Sequence, residues 1–343
     1  MKAMLLQKLG AIESGSRPLL YTDIPSPSPG DSDVLLRVRA CGVCHTELDE
    51  IEGRTPPPRL PIVLGHQAIG QICEVGRNVR KWHKGDRAGV AWIHSACRHC
   101  QFCRSDRENL CPQFEATGRD CHGGYAEYLR ADADFVHQIP TTLSDSQAAP
   151  LLCAGAIGYR SLGLTNLRNG EPLGLTGFGS SAQLVLKMAR HRFPSSPIYV
   201  FARSSEERVL AVELGAAWAG HTTEKPPTLL NAVIVTTPAW TPIVAALANL
   251  SPGGRLVVNA IRKESADQAV LTELNYATHL WQEKEIKSVA NVTRHDVREF
   301  LVLAAIMKLV PQVQEYPLSA ANEALIDLKM RPVTAAKVLV MDR

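Results

Sequence analysis

The sequence predicts an α/β chain of two domains, one β-rich and barrel-like, the other built on a doubly wound parallel sheet. Three observations carry this. Through the first part of the chain, short apolar–polar alternations such as Val34, Leu36 and Val38 are separated by breaker-rich linkers such as SPSPGDSD, the pattern of half-buried strands joined by turns. After Gly155 the pattern becomes short apolar runs alternating with helical stretches, which is how βαβ units on a parallel sheet read. A length of 343 residues is long for one core and fits two.

Composition narrows the class. With 45% hydrophobic and 21% charged residues the chain is made like an ordinary globular protein. Its formal net charge of +3 comes from acids and bases interleaved along the chain, with no basic tract and no acidic tail, so a nucleic-acid partner is not expected. The opening MKAMLLQKLG is charged again at Lys8, too soon for a signal-peptide core, and no later stretch is apolar enough to span a bilayer. The expectation is a cytoplasmic protein with no membrane partner. Nine cysteines, an odd number without an export signal, four of them tightly clustered, point to metal rather than to disulfides.

In the first domain, strands are expected at residues 3–7, 33–40, 68–75 and 87–92, each bounded by Gly, Asp or Pro-rich linkers. Between them the stretch 41–67, CGVCHTELDEIEGRTPPPRLPIVLGHQ, places the thiol of Cys44 and the imidazole of His66 at opposite ends of a proline-rich loop. On this stretch alone a buried thiol near a surface ring is the commoner arrangement. If the two share an ion, a third ligand must come from elsewhere, and three ligands with one open position are what a catalytic zinc needs. The most specific signal follows: Cys97, Cys100, Cys103 and Cys111 in the pattern C-x2-C-x2-C-x7-C. Four thiolates so spaced can close a tetrahedral zinc site with no position left for substrate, a structural site. Unligated cysteines prefer apolar interiors, whereas these sit among Arg98, His99, Arg104, Asp106 and Arg107; His99 reads as a solvated neighbour.

In the second half, residues 173–176 read as a strand, Gly177-Phe-Gly179-Ser-Ser-Ala182 as a tight turn and 183–192 as a helix. A lone GxGxxA is weak evidence, but between a strand and a helix it is the fingerprint of a Rossmann-type dinucleotide fold, in which glycines let backbone amides approach a pyrophosphate at the helix N-terminus. Gly177, Gly179, Ser180, Ser181 and Ala182 are therefore the candidate cofactor residues. Next come a strand at 198–202, a helix at 206–214, and strands at 232–236, 255–259 and 286–289. A fold preferring NAD ends its second strand with an acid for the ribose 2′-hydroxyl, but this chain reads FARSSEER, with Ala202 and Arg203 at that point. Arg203, aided by Ser204 and Ser205, suits a 2′-phosphate, so NADP(H) is favoured over NAD(H); the alternative is a surface Arg paired with Glu206 or Glu207. From about residue 291 the chain is expected to return to the first domain, with helices at 296–308 and 320–328 and a last strand at 336–341.

Taken together, GVCHT at 42–46, GHQ at 65–67, the four-cysteine lobe, GGYAEY at 123–128 and the dinucleotide fingerprint resemble a zinc-dependent alcohol dehydrogenase of the medium-chain dehydrogenase/reductase superfamily over essentially the whole length. The resemblance implies a GroES-like β-rich catalytic domain over 1–154 and 291–343, with a structural zinc lobe at 94–113 and a Rossmann domain over 155–290. It implies a catalytic zinc on Cys44, His66 and Cys153, in a cleft between the domains. Cys153 lies in APLLCAGAIGYR, an apolar segment expected to begin a helix after Pro150, where a packed thiol is the ordinary reading; Cys41, Cys73 and Cys121 match no ligand position. Thr46 would take the alcohol's proton and pass it outward to Asp49, which stands where many relatives place a histidine; Asp49 reads equally as a solvated surface acid, with an unperturbed pKa of about 3.9 that makes it a poor base. Glu47 would orient the His66 ring. Gln67 departs from the Glu of most relatives and offers the metal no carboxylate. Trp92 falls where relatives line the substrate pocket, or else is core packing.

The implied activity is the interconversion of alcohols with aldehydes or ketones by hydride transfer, on a small-molecule substrate, by a dimer or tetramer. Two alternatives stay open: a zinc-independent quinone or enone reductase of the same superfamily, which needs neither cysteine set, and a nucleotide-binding relative without turnover, to which Gln67 and Asp49 give substance.

Overall fold

In the computed structural model, which describes residues 1–331 and 335–341, the strand Asp33–Val43 is the axis around which the first unit, Met1–Cys153 with Val292–Arg343, is organised. Its inward positions, Val34, Leu36 and Val38, are buried. Ala68–Val75 runs antiparallel along one side; on the other, Tyr128–Asp132 pairs with its first half and Ala336–Val340 with its second. The strand was expected to end at residue 40. It runs to Val43 because Ala336–Val340 prolongs the ladder, setting Val43 opposite Lys337, a long-range pairing with no local signal.

The resulting seven-stranded sheet has the order Val136–Gln138, Arg87–Val90, Ala68–Val75, Asp33–Val43, Ala336–Val340, Val313–Pro317, with Tyr128–Asp132 also on the central strand. A smaller sheet orders Leu19–Asp23, Lys2–Leu6 and Ile62–Val63. Leu36, Val38, Ile51, Ile72, Leu129 and Leu339 form one core with Leu325 and Leu328 of the helix Ala321–Met330. Leu19–Asp23 and Val313–Pro317 carry mostly exposed residues, so neither shows the alternation by which strands are recognised.

The second unit, Ala154–Asn291, has a six-stranded sheet in the order Trp218–Gly220, Ile198–Phe201, Leu173–Thr176, Leu230–Val235, Leu250–Val258, Glu285–Ser288, with every neighbouring pair parallel. The strand first in sequence is central and the order reverses there, the Rossmann arrangement with its switch point at the end of Leu173–Thr176. Leu173–Thr176 and Ile198–Phe201 are buried throughout, as strands covered on both faces must be. The helix Ser180–Arg192 starts three residues before the expected 183, directly after Gly179. At the other edge, Glu285–Ser288 is exposed along its whole length. Among the described residues no helix is long and apolar enough to cross a membrane.

Candidate active site and metal centres

Cys44 directly follows the central strand and is the N-cap of the helix His45–Ile51. Its extended backbone turns the side chain over the helix start, where Sγ accepts from the Thr46 N–H at 3.3 Å. Glu47, fully buried, closes the cap: Oε2 accepts from the Cys44 N–H at 2.8 Å while Oε1 lies 2.6 Å from His66 Nδ1. One carboxylate thus fixes both a sulfur-bearing residue and a ring. With Nδ1 engaged, Nε2 of His66 is directed to Cys44 Sγ at 3.8 Å. His66 is set in place by Gly65, whose φ of +98° is the left-handed region and where a Cβ would stand 2.4 Å from the Tyr125 ring, so only glycine fits.

Cys153 does not lie within a helix. It caps the 3-10 turn Ala149–Leu152, just before the helix Ala154–Leu164 begins, and this break brings its sulfur to the other two groups: Cys44 Sγ, His66 Nε2 or Nδ1 and Cys153 Sγ lie within 4.8 Å of one another. The hydrogen bond that the Cys44 thiol donates to Cys153, then burial, then the charges of Cys153 and Glu47 push that thiol well above its ordinary value. Once the two thiols are ionised, the sulfurs and the buried carboxylate so packed would carry negative charge that a divalent cation would balance, and the donor set of two sulfurs and an imidazole fits zinc.

Around this group the acids sort themselves. Asp49 is not a solvated surface acid: it is 4% exposed, and its Oδ1 lies 2.5 Å from Arg54 Nε. Glu50 is buried with neither carboxyl oxygen hydrogen-bonded among the described residues, and burial, then the Glu47 charge, push it far up, toward the neutral acid. Sequence reading missed both Arg54 and Glu50; the five-residue spacing of Asp49 and Arg54 was the available hint. Thr46 Oγ1 lies 3.3 Å from Cys44 Sγ. Gln67 is 2% exposed, its amide oxygen so close over Gly42 that a Cβ there would meet it at 2.4 Å. Trp92 stacks at a tilt on Phe114, ring centroids 5.3 Å apart, and its Nε1 is buried without a partner among the described residues; Phe114 gave no signal in the sequence.

The sulfurs of Cys97, Cys100, Cys103 and Cys111 also lie within 4.8 Å of one another. The lobe is wound so that backbone N–H groups point at sulfur: Cys100 N on Cys97 Sγ at 3.3 Å, Cys103 N on Cys100 Sγ at 3.5 Å and Gln113 N on Cys111 Sγ at 3.4 Å. Backbone donors, His99 N–H foremost, pull Cys97 down to about 6, toward the thiolate that a metal takes. All nine cysteines are free thiols. Cys41 is buried, Cys73 donates to Leu35 O and Cys121 to Ala116 O.

In the second unit Gly177 has φ +82°, and a Cβ there would meet Thr237 at 2.6 Å. Gly179 faces open space and caps Ser180–Arg192 without a side-chain bond to the helix, leaving first-turn N–H groups for a phosphate. Ala202 is buried and Arg203 exposed at the end of Ile198–Phe201; Glu206 is hydrogen-bonded by Ser204 at 2.5 Å, and Arg203 has no ion-pair partner among the described residues.

A three-donor group and a four-sulfur cluster in a β-rich unit, with a dinucleotide-type parallel sheet in the second unit, are the features of a medium-chain dehydrogenase. Residues 30–141 match the alcohol dehydrogenase GroES-like domain. The chain is 40% identical to a probable alcohol dehydrogenase, AdhA, of Mycobacterium tuberculosis (strain CDC 1551 / Oshkosh), covering 99% of this chain and 97% of that protein. An alcohol dehydrogenase of Geobacillus stearothermophilus is 32% identical, over 98% and 100% respectively. Among solved structures, a cinnamyl alcohol dehydrogenase of Sorghum bicolor superposes with TM-score 0.82 at 26% identity, covering 99% of this chain and 97% of that one. The chain belongs to the zinc-dependent alcohol dehydrogenases of the medium-chain dehydrogenase/reductase superfamily. Its chemistry is the oxidoreduction of alcohols and aldehydes, and the zinc-independent reductase reading is not favoured.

Proposed function

We propose that the first unit is the catalytic domain, with a catalytic zinc on Cys44, His66 and Cys153 and a structural zinc on Cys97, Cys100, Cys103 and Cys111, and that the second unit holds NADP(H) in preference to NAD(H). The observation that carries this is the convergence of three donors, two sulfurs and an imidazole nitrogen, from far-apart points of the chain. Zinc bound there would act as a Lewis acid toward the substrate oxygen. The chain's own residues do the rest. Glu47 holds the His66 tautomer through Nδ1. The Thr46 hydroxyl, next to the ligand sulfur, accepts the substrate proton and passes it outward. Asp49 is the next acceptor on the helix; because Arg54 pairs with it, proton release through it requires that pair to open. Trp92, with Phe114, lines the substrate side with aromatic surface.

For the cofactor, Gly177, Gly179, Ser180, Ser181 and Ala182 supply the pyrophosphate cradle, and the exposed guanidinium of Arg203, with Ser204, supports a 2′-phosphate. A homo-oligomer is supported by the open edge strand Glu285–Ser288 with the exposed Tyr276, Trp281 and Ile286 close in sequence. Nine free thiols suit the reducing cytoplasm. The test is metal analysis, with about two zinc per chain expected from the two ligand sets, followed by steady-state kinetics on a panel of primary alcohols and aldehydes with each cofactor. NADH used markedly better than NADPH would remove Arg203 from its role.

A further inference from the structure

A cleft of about 860 Å³ opens on the first unit and is lined by none of the seven sulfur and imidazole donors described above. His137, in the middle of the edge strand Val136–Gln138, lines it together with Lys81, with Glu108 of the cysteine lobe, and with Arg294 and Arg298 of the first turns of the helix Arg294–Ile306. The walls are fixed: Glu108 Oε1 accepts from the Arg294 backbone N–H at 2.8 Å and from its Nε at 3.0 Å, and the Arg294 guanidinium lies 4.8 Å over the Phe135 ring.

The His137 imidazole is 8% exposed and has no hydrogen-bond partner among the described residues. Its ring nitrogens keep access to solvent in the cleft, where a ligand oxygen could replace the water that meets them. Burial, then Lys81, Arg294 and Arg298, pull it down to about 3, so the ring is neutral beside three cations. Three acids share the cleft, Glu108 paired there with Arg294, Asp134 drawn to Arg98 at 3.3 Å and Asp106 on the lobe wall, while Arg298 bonds Glu299 through Nε at 3.1 Å and lies 3.0 Å from His295 Nδ1 through Nη2, leaving its Nη1 for a ligand. Lys81 has no ion-pair partner among the described residues, and the start of the thirteen-residue helix Arg294–Ile306 adds its positive end. Ile139, Pro140, Leu301 and Val302 give the cleft an apolar side.

We propose that this cleft is a binding site for a small oxyanion, a phosphate or a carboxylate on a short carbon body, held by Lys81 and Arg298 with the His137 ring donating a hydrogen bond from the wall. It stands apart from the cofactor and metal assignments and holds or fails without them. The test is calorimetric titration of the full zinc-loaded chain, kept saturated with nicotinamide cofactor, with inorganic phosphate and separately with succinate at constant ionic strength, alongside the 15N resonances of the His137 ring. Saturable binding of either probe with a shift of those resonances is expected. K81A and R298A should each weaken it by about tenfold or more, the loss of one charge-assisted bond, with basal turnover and zinc content unchanged; R203A should leave it intact. Tighter phosphate assigns the phosphate class, tighter succinate the carboxylate class. No saturable heat with either probe, or equal binding in the wild type and in K81A and R298A, overturns the proposal.

Discussion

Replacing Glu47 by Gln tests whether one buried carboxylate holds the three-donor group together. Both of its oxygens are used, Oε1 on His66 Nδ1 at 2.6 Å and Oε2 on the Cys44 N–H at 2.8 Å. An amide has only one acceptor. If its oxygen faces His66, its NH2 opposes the Cys44 N–H and the helix cap opens; if it faces Cys44, the ring must change tautomer and no longer presents the Nε2 lone pair. Either way one buried, charge-assisted hydrogen bond is lost, about 1.5 to 3 kcal/mol, which corresponds to roughly ten- to hundredfold in affinity, the range found when a partner of a metal-ligating histidine is removed. Competition with a chromophoric chelator should release one zinc per chain that much more readily, while the zinc of the four-cysteine lobe stays bound. Zinc affinity within about twofold of the wild type, in a variant that melts normally, would refute the argument.

Cys97→Ser should bring zinc down to one equivalent per chain and lower the melting temperature, because that group closes a lobe whose chain is otherwise held by turns; the Cys44, His66 and Cys153 group should keep its metal, as separate analysis of bound zinc would show. Arg203→Ala should raise KM for NADPH by about ten- to hundredfold with little change for NADH, read by steady-state kinetics. Acid stability should depend on Glu52. Burial raises its pKa, but hydrogen bonds from Lys329, the Ile12 N–H and Arg54 outweigh it and bring it from 4.5 to about 2. A depressed folded-state pKa gives stability present above about 4.5 and lost as pH falls toward about 2, worth about 1 to 3 kcal/mol after screening by its partly exposed partners. Glu52→Gln should therefore flatten the pH dependence of unfolding in that window, and an unchanged slope would remove the assignment.

What could be read from the residues alone follows from how local each signal is. The strand Ala68–Val75 and the turn at Gly177 to Ala182 are written in neighbouring residues. The four-cysteine lobe spans 97 to 111 and announces itself by spacing. The three-donor group does not: 22 positions separate Cys44 from His66, and Cys153 came from the resemblance alone. For Asp49 the relay reading and the surface-acid reading stood level in the sequence, because its burial beside Arg54 depends on a partner that periodicity does not mark. Val313–Pro317 and the extension of Asp33–Val43 depend on pairing with Ala336–Val340 near the far end of the chain, and such ladders have no local signature.

That last pairing bears on the order of folding. Ala336–Val340 lies against residues 40 to 43, one position short of Cys44, so this half of the strand leading to Cys44 stays an open edge until the later segment docks. A chain truncated after residue 330 would carry the whole six-stranded parallel sheet but leave Ala40 to Val43 without this neighbour. Such a fragment should bind nucleotide and hold zinc poorly, so that metal retention reports whether the strand has docked.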